Sequence, residues 1–399
     1  MSRIAVIFES SPFDRKGLFN AVHNRIKGLV ASGECWVDAY CIHSRDNAFT
    51  RSIRHTPKTP SVDSVRIDGI TYRLLWYRFS VLDSILYDRM HRRPFFFKSF
   101  INRAVQYLEG YDVLIAHSFT GGLIAREASV RFGTPYFVTW HGSDVHSHPR
   151  KNPLQREETR RIMAGARCNI FVSEALLKSS DDLLDGLEVR REVLYNGVSE
   201  DFVRFDDAKR NELRRFNSVA PDTMVVAFVG NLSAVKNVRV LAGIFREVSM
   251  RYYGKLKFWI IGDGKLASAV GRDMIASGID DMVRMFGNVP SDDMPAVMNC
   301  IDVLVLPSLN EGLPLVCLEA LKCGANVVGS RVGGIPEIIG EANTVPLGDG
   351  FVEAMADRIV QMLSGNVVQK VPSQMSWAKA TERELELISG DRKGEEAGN

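Results

Sequence analysis

Two successive series of short apolar runs pass through this chain, each run separated from the next by a longer amphipathic stretch, and that pattern builds a parallel sheet flanked by helices. In the first series the predicted strands lie at 4–8, 36–42, 113–116, 136–140, 168–173 and 192–195, with helix-like segments at 17–31 and 97–108. The scheme restarts at 224–229 and continues at 257–261, 283–286, 303–306 and 326–329. A restart of this kind implies two doubly wound, Rossmann-like α/β domains in tandem, and 399 residues are enough for two cores of ordinary size. The expected division is a first domain over 1–196, a polar and charged linker over 197–222, a second domain over 223–375, and a helix with a frayed tail over 376–399. The apolar spacing of that last helix lets it pack on either domain.

Fifty Lys and Arg against 48 Asp and Glu give a net charge of +2, which removes any case for nucleic-acid binding from overall charge. The six cysteines are scattered, with no Cys-x-x-Cys pair and no histidine at finger spacing, so they read as reduced, buried thiols and no metal site is expected. The N-terminal apolar run is five residues long and ends at Glu9, and nowhere do 18 apolar residues follow one another. The expectation is a cytoplasmic protein. From Arg89 to Arg103 there are five Lys and Arg and no acid, interleaved with Phe95, Phe96, Phe97 and Phe100. Either the rings belong to the core and the cations to a solvated face, or the segment touches the inner face of a membrane through Arg89, Arg92, Arg93, Phe95, Phe96 and Lys98.

In open α/β sheets ligands bind beyond the carboxyl ends of the strands, so the loops there are where chemistry is sought. After the predicted strand at 303–306 comes Pro307-Ser-Leu-Asn-Glu-Gly-Leu-Pro-Leu-Val-Cys-Leu-Glu319. Pro314 suits the first turn of a helix, which puts Glu311 and Gly312 on the entering loop and Glu319 one turn further in. The helix start supplies unpaired N–H groups and a positive dipole end, a seat for phosphate. Two carboxylates eight residues apart around such a seat suit hydroxyl groups on either side of a diphosphate; equally, Glu311 caps the helix and Glu319 lies on a solvated face. After 224–229 the loop Gly230-Asn231-Leu-Ser-Ala-Val-Lys236-Asn237 carries a cation for a phosphate, or simply a surface lysine. His141-Gly-Ser-Asp144 follows the strand at 136–140, where the histidine either meets a substrate or is structural, and His117 ends the strand before it. Gly17 opens the first helix, where the backbone can approach a phosphate. No G-x-G-x-x-G follows the first strand and no G-x-x-x-x-G-K-[ST] occurs, which disfavours hydride transfer and P-loop chemistry.

Taken together, these motifs resemble the retaining glycosyltransferases of family 4, whose fold is GT-B. The resemblance rests on Gly-Asn-Leu-x3-Lys-Asn at 230–237, Ile-Gly-Asp-Gly at 261–264, Phe-Gly-Asn-Val at 286–289, Pro-Ser-x2-Glu-Gly-Leu-Pro-Leu-x3-Glu at 307–319 and Gly-Gly-Ile-Pro-Glu at 333–337. His-Gly-Ser-Asp at 141–144 and Asn-Gly-Val at 196–198 extend it into the first half. It implies that the second domain binds a nucleotide-sugar donor and the first supplies most of the site for a saccharide or lipid-linked acceptor. It also implies that Lys236 and the backbone from Gly312 through Leu313 to Leu315 bind the diphosphate, that Glu311 meets the sugar and Glu319 the ribose, and that Val289 lies near the base. His141 would meet the sugar from the other domain and Gly17 would approach the phosphates. The configuration at the anomeric carbon is kept, and neither metal nor cofactor is needed. Two departures stand out: family members commonly carry Arg where Asn231 stands, and a Gly-Gly pair where this chain reads Lys16-Gly17. Lys16 is a candidate replacement for the lost charge. The expected function is assembly of a cell-surface polysaccharide, lipopolysaccharide or glycolipid; the alternatives are a GT-B nucleotide-sugar epimerase and a non-catalytic scaffold subunit.

Overall fold

A computed structural model of the protein describes residues 1–13, 15, 17–44, 60, 62–77, 83, 86, 87, 90–92, 95–365 and 367–396. They form two compact α/β units, one made of 1–196 with 376–399 and the other of 197–375.

The first unit is built on β1 (Ser2–Glu9), β2 (Cys35–Ser44), β3 (Ser64–Ile67), β4 (Ile70–Tyr77), β5 (Val113–His117), β6 (Tyr136–Trp140), β7 (Cys168–Phe171) and β8 (Arg191–Val193). Their order is β3-β4-β2-β1-β5-β6-β7-β8, and only β3 runs antiparallel to its neighbour. The run Ile4 to Phe8 is fully buried, as befits a central strand covered on both faces, which needs continuous rather than alternating apolar residues. Helices such as Gly17–Ser32 and Ser118–Phe132 supply the cover. The β3–β4 hairpin was not among the expected strands. Its signal is the two-residue Asp68-Gly69 loop, with φ of 48° and 80°, a turn whose twist matches that of the strands it joins.

The second unit contains β9 (Thr223–Val229), β10 (Lys255–Ile261), β11 (Val283–Gly287), β12 (Val303–Leu306), β13 (Asn326–Ser330) and β14 (Thr344–Val345). All run parallel in the order β11-β10-β9-β12-β13-β14. Counted from β9 this is 3-2-1-4-5-6, so the winding reverses between β9 and β12 and a crevice opens beyond their carboxyl ends. In the first unit the same reversal falls between β1 and β5.

The stretch 197–222, expected as a linker, folds within the second unit. It holds the helix Asp207–Phe216, from which Arg210 and the buried Arg214 pair with Asp302 at 2.5 and 3.1 Å, while the Phe205 N–H donates to Asn299 at 2.8 Å. Two of its charges, Arg210 and Arg214, are thus used internally, while most of the others are exposed as a connector's would be.

The helix Trp377–Glu396 belongs to the first unit, where Ala380, Leu387 and Ile388 join the core that contains Val22, Ile26 and Leu29. Arg25 and Glu384, 1 % and 2 % exposed, form an ion pair at 3.4 Å. The same guanidinium donates to the Leu194 carbonyl at 3.0 Å and to Asn196 Oδ1 at 3.2 Å. One buried cation therefore holds both the last residues before 197 and the helix that follows 375.

On the helix Phe95–Gln106, Phe100 is buried with its ring 5.3 Å from that of Tyr77, and Lys98 is exposed, as is Arg92 before it. Arg89, Arg93 and the side chains of Phe95 and Phe96 lie outside the described residues. Among the described residues no helix is long and apolar enough to cross a membrane.

Candidate functional site

In the second unit the loops after β9 and β12 come together where the winding reverses. The Leu309 N–H donates to the Val235 carbonyl at 2.8 Å, which ties one loop to the other. Lys236 Nζ then lies 2.6 Å from Glu311 Oε1, and the Ser308 hydroxyl donates to that same oxygen at 2.6 Å. Ser308 is itself fully buried. With side chains 21 % and 10 % exposed, Lys236 and Glu311 form a largely desolvated pair, stronger than a surface ion pair. Lys236 is accordingly no stray surface cation, and Glu311 makes a salt bridge where a cap was an alternative.

The loop holding Glu311 is fixed from behind. The Gly334 N–H donates to the Gly312 carbonyl at 3.0 Å, and a Cβ at Gly333 would fall 1.8 Å from the Glu311 carbonyl oxygen. Gly333 also has φ +50°, so both space and backbone demand glycine there. The helix begins at Leu315; Pro314 precedes it as the capping residue, with φ −73° and ψ 108°, so the proline stands one position earlier than expected. Its extended ψ turns the chain into the helix, whose opening N–H groups, like those of any helix, have no acceptor one turn back. Glu319 lies on this helix, partly covered, and burial pushes its carboxyl up to about 7. That cost belies a solvated surface acid. Leu313 and Gly312 are buried, Leu315 and Val289 half-buried, and Asn231 exposed beside Gly264.

In the first unit His117 is the last residue of β5 and lies opposite Thr139 on β6. His141 follows Thr139 by two residues and so shares its face of the pleat, which brings His117 Nδ1 within 3.0 Å of His141 Nε2. Burial pushes His141 down to about 3, with the positive Arg25 adding to the effect, and His117 is held well below the usual histidine range by burial first and then by His141 and Arg25. Asp144 closes the turn: its carboxylate accepts from the Gly142 N–H at 2.8 Å and the His141 N–H at 3.3 Å. That is why the motif needs an acid three residues after its histidine. Glu9, at the end of β1, accepts from Tyr77 at 2.8 Å and Thr120 at 2.5 Å.

Each unit thus brings its own candidates together: Lys236 with Glu311 and its loop in one, His141 with Asp144 in the other. Gly17 opens its helix with nothing among the described residues within 4 Å of an added Cβ, and Lys16 lies outside the described residues. Ser308, Gly333 and Glu9 carried no assigned role in the sequence. The signal for Ser308 is its spacing of three from Glu311, and for Glu9 its place at the end of a central strand. Among the described residues no cluster of His, Cys, Asp and Glu forms a metal site.

The family model described as Glycosyl transferases group 1 matches residues 223–365, and that described as Glycosyl transferase 4-like domain matches 18–197. A D-inositol 3-phosphate glycosyltransferase of Actinosynnema mirum is 28 % identical over 297 residues, covering 68 % of this chain and 70 % of its own length. Further relatives of that name are matched over 59 % to 63 % of their lengths. Among solved structures, Anabaena Alr3699/HepE in complex with UDP superposes with a TM-score of 0.69 at 16 % identity over 99 % of both chains. The lipopolysaccharide outer core galactosyltransferase WaaB, in its apo form, gives 0.64 at 18 % identity over 98 % of this chain and 99 % of that one.

Proposed function

Because this chain belongs to the GT-B glycosyltransferases of family 4 type, we propose that it moves a sugar from a nucleoside diphosphate sugar to a hydroxyl acceptor with retention of configuration. The observation that carries this reading is the contact of Lys236 with Glu311 at the point where the second sheet reverses its winding. When a donor enters, the diphosphate takes over Lys236 and a sugar hydroxyl takes over Glu311. Each charge thereby exchanges one partner for another, and neither is left bare in a dry site. Glu319 receives ribose hydroxyls, which stabilise its ionised form and relieve the cost of its burial.

The step itself breaks the bond from the anomeric carbon to the phosphate oxygen and forms one to the acceptor oxygen on the same face. The acceptor's proton goes to the departing phosphate, whose charge Lys236 and the start of helix Leu315–Lys322 stabilise. No resident metal enters this scheme, and turnover in excess chelator should match that without it. The inositol phosphate relatives and the likeness to WaaB support a polar, hydroxyl-rich acceptor on the path to a cell-surface glycan or glycolipid. The exposed Lys98 and Arg92 support peripheral contact with the inner face of an anionic membrane.

The test is the melting temperature of the protein with UDP-, GDP-, ADP- and CMP-sugars, since a ligand that binds the folded state raises it. One nucleotide class should shift the transition, and Lys236→Ala and Glu319→Ala should abolish the shift. A cooperatively melting protein that responds to none of them would exclude the donor site.

A further inference from the structure

The two facing nitrogens of His117 and His141 are 3.0 Å apart, and one proton lies between them. His117 is 0 % exposed, and its other nitrogen, Nε2, is buried without a partner among the described residues. If His141 were the donor, His117 would carry its own hydrogen on Nε2, a buried N–H with nothing to receive it. If His117 is the donor, Nε2 keeps a bare lone pair, and the structure avoids an orphaned N–H, the rarer and costlier fault. A doubly protonated ring in either place is opposed by burial and by the nearby Arg25 charge. The acids in the neighbourhood do not alter this: Asp144 is occupied by backbone N–H groups, and Glu9 by the hydroxyls of Tyr77 and Thr120.

We propose that His117 is a positioning residue that donates from Nδ1 to His141 Nε2, fixing His141 as a neutral ring with its single N–H on Nδ1. Among the described residues His141 Nδ1 has no partner, and the residue as a whole is only partly buried. It is thus set to donate to an oxygen of a bound ligand. That the oxygen is a sugar hydroxyl rests on the function proposed above; the tautomer does not.

The test therefore starts without substrate. Nitrogen-15 NMR of the ligand-free protein, labelled at histidine, distinguishes the two tautomers by the coupling of each ring nitrogen to the ring carbon protons. His141 should carry its proton on Nδ1 and remain neutral at pH 5, and an Nε2–H form would overturn the proposal. In His117→Leu the partner is gone, so His141 should sample both tautomers and titrate at higher pH. In His117→Asn an amide nitrogen stands where Nδ1 stood and should restore the Nδ1–H form at pH 8. With the nucleotide sugar that shifts the melting transition, kcat for nucleotide release at pH 8 should fall roughly tenfold or more in His117→Leu and stay within about threefold in His117→Asn. The acid limb of the Leu variant should also move upward. Leu and Asn variants that share one tautomer, one titration and one rate would reduce His117 to packing. A correct tautomer in a protein that turns over no nucleotide sugar would refute the transferase reading and leave this one standing.

Discussion

Lys236 and Ser308 donate to the same oxygen of Glu311, and that sharing sets the effect of changing the acid. Glu311→Gln keeps the shape and removes the charge, so Lys236 loses its internal competitor. A nucleoside diphosphate without sugar should then bind more tightly, by roughly threefold or more, while turnover of the complete donor falls; calorimetric titration of both ligands tests this, and unchanged or weaker binding of the bare nucleotide would sink it. Glu319 gives a pH signature instead. Its carboxyl is raised in the folded state to about 7 from an ordinary 4.5, so the protonated form is the one the fold prefers. Its contribution is present in full below about pH 4.5 and is lost as the pH rises towards 7. Glu319→Gln should therefore match the parent in stability at pH 4 and exceed it at pH 8, by roughly 1–3 kcal/mol in urea unfolding. A stability difference that does not change with pH would show that the acid is not held protonated.

At the scale of elements, the loop after β12 is shaped by residues more than 20 positions later in the chain, Gly333 and Gly334. Gly333→Ala adds a Cβ at φ +50° and 1.8 Å from the Glu311 carbonyl, so the loop must move. We expect about 1–3 kcal/mol of destabilisation together with loss of nucleotide binding out of proportion to it, read by urea titration and calorimetry. The parallel strands on either side were legible because a strand buried on both faces must be written as an unbroken apolar run, as 4–8, 224–229 and 303–306 are. The hairpin of β3 and β4 was not, because a half-exposed antiparallel pair breaks that rhythm, and its two-residue Asp-Gly turn was its local mark. Lys236 and Glu311 were readable as motif residues, whereas their contact depends on the pairing of two strands whose facing ends in the sequence, Val229 and Val303, are 74 positions apart. The partnership of His117 and His141 was hidden for the same reason: it depends on the pairing of β5 with β6, which no local pattern encodes.

At the scale of the whole molecule, the ion pair of Arg25 with Glu384 gathers three separate stretches of the first unit: its first helix, residues 194–196 and the helix Trp377–Glu396. Glu384→Ala leaves a buried guanidinium without its carboxylate and should cost about 3–5 kcal/mol, whereas Arg25→Met with Glu384→Leu should recover most of that loss. Thermal melting of the three proteins decides it, and a single variant as stable as the double would show that the pair contributes little. Since the first unit takes its closing helix from beyond the second, the two halves of the chain cannot mature in the order in which they are made. Residues 197–375 are contiguous and can fold as soon as they leave the ribosome. Until residues 376–399 have been translated, the first unit lacks the cover of Ala380, Leu387 and Ile388, and Arg25 lacks its carboxylate partner. The first unit is therefore sealed only after the second has been made, and a chain cut short before residue 376 would hold a complete second unit and an unsealed first.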